Sequence, residues 1–397
     1  MSRKVAVGLD NLSRKNDIQS SVKGNIGYLC HSASIDCDYT HGIFLLKKIF
    51  GDRLKKIFSP QHGFVSDVQD NMIESDHYQH PYFNLPIFSL YSETRIPTDE
   101  MLEGLDSIVV DLQDVGTRIY TYIYTMTLLM SACAKKDIKV IILDRPNPIG
   151  GEAIEGNILE PEFKSFVGLH PLPVRHGLTI AEVALMAKKF WGIDCQLQVV
   201  KMVGWERWMD FEETAIPWVL PSPNLPNVET AFTFVGTVLY EGTNISEGRG
   251  TTKSLETLGH PKIEPYQLLD KILPYFKKDN LEGFVLRPIV FQPTFQKHAG
   301  IACGGFHIHI TDRKKFTPWK VGQILCREFY KELGEKFSWK EPPYEYEFEK
   351  LPIDLINGSD KIRQWVEQDG SLEELKILEN KHLDLFLQQR NEILLYN

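Results

Sequence analysis

A chain of 397 residues exceeds the size at which one hydrophobic core keeps growing, so two domains are expected. Its 43% hydrophobic and 24% charged content is that of an ordinary globular protein, while a net charge of −9 and a pI near 5.8 argue against the basic footprint a nucleic-acid partner needs. No apolar run approaches the roughly 18 residues of a membrane span, and the start Met1-Ser-Arg-Lys-Val-Ala-Val-Gly8 lacks a signal-peptide core; the expected compartment is the cytoplasm for a complete chain, and the periplasm or exterior if a signal was removed.

Strand-like and helix-like segments alternate from the start. Residues 27–30 read as a strand, 42–50 as a helix, 56–59 as a strand and 87–90 as another. Ser107-Ile-Val-Val-Asp-Leu-Gln-Asp114 is an apolar run ending in Asp111 and Asp114. A helix follows from about Tyr120, with Ile119, Tyr122, Ile123, Met126, Leu129, Met130 and Cys133 at the 3/4 spacing of one buried face. Lys139-Val-Ile-Ile-Leu-Asp-Arg-Pro-Asn-Pro148 repeats the pattern and ends in Asp144, Arg145 and Asn147. Thr179 is placed to cap a further helix, 179–191. This alternation predicts an α/β fold with a mostly parallel sheet covered on both faces. Ligands of such sheets bind outside the carboxyl ends of the strands, so Asp111, Asp114 and Asp144 are expected to point toward one pocket. The competing readings are local: Asp111 as a structural partner of Arg118 or backbone amides, Asp114 as a helix cap, and Asp144 as a buttress of the turn at Pro146 and Pro148.

Leu239-Tyr-Glu-Gly-Thr-Asn-Ile-Ser-Glu-Gly-Arg-Gly-Thr-Thr-Lys253 has no periodic apolar pattern. It sets Glu241, Asn244, Glu247 and Arg249 among glycines, as a loop that brings side chains up to a polar ligand would. Beyond it, 281–292 and 303–311 read as longer alternating strands, and 321–333 and 359–394 as helical, the last broken at Gln368-Asp-Gly-Ser371. The division this suggests is an α/β domain over 1–254 and a smaller α+β domain over 255–397. Six scattered cysteines without a Cys-x-x-Cys build neither a disulfide framework nor a zinc ribbon. His307-Ile-His309 places two imidazoles on one strand face, which sheet alternation explains without a metal, so neither metal nor organic cofactor is expected. Neither Gly-x-Gly-x-x-Gly nor a phosphate-binding Gly-x-x-x-x-Gly-Lys-Ser/Thr is present, nor a Gly-x-Ser-x-Gly elbow. What is plentiful is carboxylate with Arg, Asn, His, Tyr and Trp, the mixture that suits sugars. Composition does not choose between a glycosidase and a sugar-binding protein.

The runs Ser89-Leu-Tyr91, Thr94-Arg-Ile-Pro-Thr98, Asp111-Leu-Gln-Asp-Val-Gly-Thr-Arg-Ile-Tyr-Thr-Tyr122, Asp144-Arg-Pro-Asn-Pro148, Phe166-Val-Gly-Leu-His-Pro-Leu-Pro-Val-Arg-His-Gly-Leu-Thr179, Pro221-Ser-Pro-Asn-Leu-Pro226 and Glu241-Gly-Thr-Asn-Ile-Ser-Glu-Gly-Arg-Gly-Thr251 resemble the bacterial exo-β-N-acetylmuramidases of the NamZ type, glycoside hydrolase family 171. The likeness runs from about residue 25 to the C-terminus. It implies a Rossmann-like domain with a smaller auxiliary domain, a cleft between them, and release of N-acetylmuramic acid from the non-reducing end of peptidoglycan fragments. The partner is then a small-molecule substrate, the oligomeric state is open, and the alternative is a fragment-binding protein of the same fold. One departure stands out: the family often carries Pro-Glu-His-Gly-Phe where this chain has Pro60-Gln-His-Gly-Phe64, and an amide keeps hydrogen bonds but cannot exchange a proton.

The expected catalytic carboxylates are therefore Glu241 and Glu247, then Asp114, with a salt bridge to Arg249 as the structural alternative for one of the glutamates. The expected substrate-binding residues are Gln61, His62, Arg118, Tyr122, Asp144, Arg175, His176, Asn224, Asn244 and Arg249. Of these, Arg175 and Arg249 are the candidates for gripping the lactyl carboxylate that distinguishes the muramic sugar.

Overall fold

The computed structural model describes residues 5–67, 69, 73–278 and 280–397, so Met1 to Lys4 of the start read above lie outside the described residues. The apolar runs pair because they are buried on both faces: β1 (Ile26–Cys30) is buried throughout, and β2 (Leu54–Ser59) is buried except at Lys55 and Lys56. β3 (Tyr78–Gln79), β4 (Pro86–Ser89), the fully buried β5 (Ser107–Asp111), β6 (Lys139–Leu143) and β7 (Leu197–Val200) complete a sheet of order β3-β4-β2-β1-β5-β6-β7. Every described pairing is parallel except β3 with β4. The chain fills one side through β2 and β4, then returns to build the other through β5, β6 and β7. The reversal therefore lies between β1 and β5, where Cys30 sits opposite Asp111, and a sheet of this kind opens its ligand crevice beyond the carboxyl ends at such a point.

The helices expected to cover this sheet form at Gly42–Phe50, Tyr122–Ala134 and Ile180–Phe190. Thr179 caps the third: its side chain accepts the Glu182 N–H while the Glu182 carboxylate accepts the Thr179 N–H, a reciprocal capping box.

The later part is α+β. β8 (Thr257–His260), β9 (Phe284–Phe291) and β10 (Cys303–Ile310) form an antiparallel sheet of order β8-β10-β9, accompanied by helices Pro265–Lys278 and Pro318–Leu333. The expected helical stretch 359–394 breaks at the anticipated place, and a second time at Lys381 and His382, giving helices Asp360–Glu367, Leu372–Asn380 and Leu383–Asn391. The two halves meet backbone on backbone. Helix Val228–Thr237 crosses Pro318–Leu333 at Gly236 and Gly322, where a Cβ on Gly322 would lie 2.1 Å from the Gly236 carbonyl oxygen. Tyr240 then donates its hydroxyl to the Gly322 carbonyl at 3.0 Å, fixing the segment that carries Glu241 against this helix.

Candidate active site

The turn Gln61–Ser66 leaves the carboxyl end of β2 and brings Gln61 and His62 to the rim of a cavity with an empty volume of about 490 Å³, its open mouth included. Tyr120 and Thr121, between β5 and its helix, form a second wall, Ser222 and Asn224 a third, and Glu241 and Arg249 a fourth. Tyr344 and Glu345, from the C-terminal half, close it.

Two carboxylates face this space. Glu241 sits in the short 3₁₀ turn Val238–Gly242, with one oxygen on the Arg249 guanidinium and the other accepting the Tyr344 hydroxyl at 2.7 Å. Arg249 is held in turn by Glu247, at 3.1 Å, and Glu247 also accepts from Lys297 at 2.8 Å. Burial would raise the Glu247 carboxyl; Lys297 and Arg249 outweigh it and hold the group below the usual carboxylate range. Glu345 is the second pocket carboxylate. Tyr91 donates its hydroxyl to both its oxygens, at 3.1 and 2.9 Å, and the Gln61 amide N–H₂ lies 3.4 Å from Oε1. Thr121 donates to the Gln61 carbonyl at 2.8 Å, which orients the amide with its donor toward Glu345. Burial, reinforced by the Glu241 charge, pushes the Glu345 carboxyl up to about 7 against the lowering effect of the Tyr91 hydrogen bond.

The structure thus brings together Gln61, His62, Asn224, Glu241 and Arg249 of the residues expected from sequence. The Asn224 side chain is already engaged, donating to the Gln69 carbonyl at 2.6 Å and accepting from Ser254 at 3.2 Å. The others are placed elsewhere, and the expectation that the strand-end aspartates converge on the pocket is corrected. Asp111 is fully buried, holding Arg145 Nε at 2.5 Å and the Tyr28 hydroxyl at 2.8 Å. Asp114 accepts the Gly116 N–H at 2.7 Å and lies 3.4 Å from His176, whose other ring nitrogen accepts the Leu178 N–H. Asp144 accepts from Thr179, Ala181 and Tyr396, so it ties the helix start and the C-terminal segment to β6; burial pushes its carboxyl up to about 7.

The basic and amide residues outside the cavity are equally committed. Arg118 gives four N–H···O bonds to the carbonyls of Asn157, Leu172, Ile356 and Asn357. Arg175 pairs with Glu155 at 2.8 Å and donates to the Ile149 carbonyl. Tyr122 donates to the Pro221 carbonyl at 2.8 Å, and Asn244 bonds the backbone at Lys336 and Ser338. Arg175 is therefore engaged within the fold, whereas Arg249 lines the cavity with its guanidinium bonded to Glu241 and Glu247.

His307 and His309 do share a face of β10, their rings 4.0 Å apart. Arg287 donates to His309 at 3.1 Å and His307 lies 3.4 Å from Glu256; among the described residues no cluster of three or more His, Cys, Asp or Glu is arranged to hold a metal. Sequence reasoning missed Glu345, Tyr344 and Tyr91. Tyr91 lies in the Ser89-Leu-Tyr91 motif, which was a usable signal, whereas Tyr344-Glu-Tyr-Glu347 contains no glycine or turn dipeptide to mark it.

Residues 26–229 match the family model described as exo-β-N-acetylmuramidase NamZ, N-terminal, and residues 232–396 the corresponding C-terminal model. The chain belongs to the NamZ family. It is 40% identical over 394 residues, 99% of its length and 92% of the other, to the peptidoglycan β-N-acetylmuramidase NamZ of Bacillus subtilis. Two crystal structures of DUF1343 family proteins from Bacteroides fragilis share the fold: one superposes with a TM-score of 0.88 over 100% of both chains, the other with 0.73 over 99% of both, each at 28% identity. The NamZ models meet between residues 229 and 232, just after the start of helix Val228–Thr237, which packs on the C-terminal half.

Proposed function

We propose that this cavity cleaves N-acetylmuramic acid from the non-reducing end of peptidoglycan fragments. The chain is a glycoside hydrolase, an exo-acting β-N-acetylmuramidase whose activity fits cell-wall turnover. The observation that carries the assignment to this cavity is the meeting of two differently held carboxylates, Glu241 and Glu345, on its wall. Glycoside hydrolysis passes through a transition state with positive charge on the sugar ring. Glu241 is addressed only as an acceptor by the guanidinium and hydroxyl the structure sets on it, and we assign it the negative charge that faces the anomeric carbon as that charge develops. His62, Ser222 and Asn224 are the polar side chains that line the cavity beside the carboxylates, where sugar hydroxyls and the N-acetyl group would meet them. The binding-protein reading draws on Gln61, which cannot act as an acid, yet the cavity retains two carboxylates without it.

On a strand of alternating N-acetylmuramic acid and N-acetylglucosamine with the muramic sugar at its non-reducing end, free N-acetylmuramic acid is the expected first product. The reaction should then stop at the newly exposed glucosamine. A disaccharide as first product would show internal cleavage and contradict the reading. Prolonged chelation should leave the rate unchanged, because nothing in the pocket chemistry described calls for a divalent ion; a loss restored by one added divalent ion would promote the His307/His309 pair.

A further inference from the structure

Glu345 occupies a conformation that its residue type disfavours. Glu345 and Tyr346 have φ of 45° and 67°, and they form the tip of a two-residue turn closed by Tyr344 N–H to Glu347 O at 2.9 Å and its return bond at 3.0 Å. Positive φ at both central positions is met at least strain by Asn-Gly, and strained non-glycine positions cluster where function requires the side chain. The strain has a visible consequence: it delivers the Glu345 carboxyl, 4% exposed, to the wall of the cavity beside Gln61 and within the same pocket as Glu241. Around it stand Tyr91 and Gln61 as donors, with Glu241, Tyr344, Arg249 and His62 on the same cavity. Arg95, the further cation acting on this carboxyl, lies against the Tyr91 and Tyr346 rings, 4.7 and 3.4 Å from their centroids.

We propose that Glu345 is the proton donor of the hydrolysis, a role that rests on the muramidase reading of the cavity. The bond from C1 of the muramic sugar to the bridging oxygen breaks with its electron pair on that oxygen, which takes the Glu345 proton and leaves as the glucosamine hydroxyl. The oxygen of water forms the new bond to C1, and the proton it sheds restores the Glu345 carboxyl, so disaccharide and water give two free sugars. Gln61 supports the acid instead of acting as one. An acid held near 7 works in its protonated form, so the rate is full below that pH and falls as pH rises through it.

The test compares wild type, Glu345→Gln and Tyr91→Phe on two substrates. One is the disaccharide of N-acetylmuramic acid linked β-1,4 to N-acetylglucosamine; the other is 4-nitrophenyl β-N-acetylmuramide, whose leaving group departs without a proton. Glu345→Gln is expected to lose about 100-fold to 10,000-fold in kcat/KM on the disaccharide, and less than about 10-fold on the nitrophenyl substrate, with the alkaline limb of the pH profile gone. Tyr91→Phe keeps the acid but removes a hydrogen bond that favours its charged form, so its alkaline limb should move to higher pH. Equal losses on both substrates, or a Tyr91→Phe profile that does not move, would overturn the proposal; if Glu345→Gln fails to fold, the Tyr91→Phe profile decides alone. Failure of wild type on both substrates would contradict the muramidase reading, and the proposal would fall with it.

Discussion

Glu241→Gln is expected to lower kcat by about 100-fold to 10,000-fold while KM moves far less, because a carboxylate that answers charge at the anomeric carbon acts on the transition state more than on bound substrate. The variant keeps an acceptor for Tyr344 and a near-identical shape but breaks the buried pair with Arg249, so the melting temperature should fall as well, and the kcat loss should exceed anything that fall explains. Glu247→Gln is the contrast. Its carboxylate lies behind Arg249, held by Lys297 at 2.8 Å and Arg249 at 3.1 Å, and it does not line the cavity. Losing that charge should cost about 1 to 3 kcal/mol of stability, with a smaller effect on kcat that arises through Arg249. Steady-state kinetics alongside thermal melting separate the two. Equal kcat losses at equal stability would mean that Glu241 holds no special place in the chemistry.

Arg118→Met should unfold the protein at markedly lower temperature. The arginine is fully buried, and burial lowers its pKa only to about 10, so it stays charged at neutral pH. Its four side-chain bonds run to Asn157 and Leu172 in the first half and to Ile356 and Asn357 in the second, at 2.7 to 3.1 Å. Methionine fills similar space but strands those carbonyls away from water, a loss of about 3 to 5 kcal/mol by analogy with broken buried ion pairs. A variant with unchanged melting temperature and lost activity would instead return Arg118 to the substrate.

What the sequence made legible is periodic. Short apolar runs ending in aspartate marked β5 and β6, the 3/4 spacing marked helices Tyr122–Ala134 and Ile180–Phe190, and Thr179 was readable as a cap. Helix Val228–Thr237 was not. It is buried at nine of its ten positions, with aromatic, threonine and glycine residues on every side, and so has no polar face to reveal a period. The aspartates show a second limit: a position at a strand end can be read, but not the direction of the side chain or the partner it finds. Asp111 found Arg145, 34 positions away. Glu345 fails differently, since a turn with two positive φ values is normally announced by glycine or asparagine, and here the chain accepts strain in place of that signal. Among the glycine-rich loop residues, Glu241 and Arg249 reach the cavity, while Glu247 and Asn244 hold the loop that presents them.

The most direct measurement is incubation of the wild-type protein with the disaccharide of N-acetylmuramic acid linked β-1,4 to N-acetylglucosamine, with products followed over time and binding measured in parallel. Release of both free sugars, abolished or nearly so in Glu241→Gln while binding persists, is the predicted result. Tight binding of the disaccharide without turnover by wild type would contradict it, and would make this chain a fragment-binding member of the family.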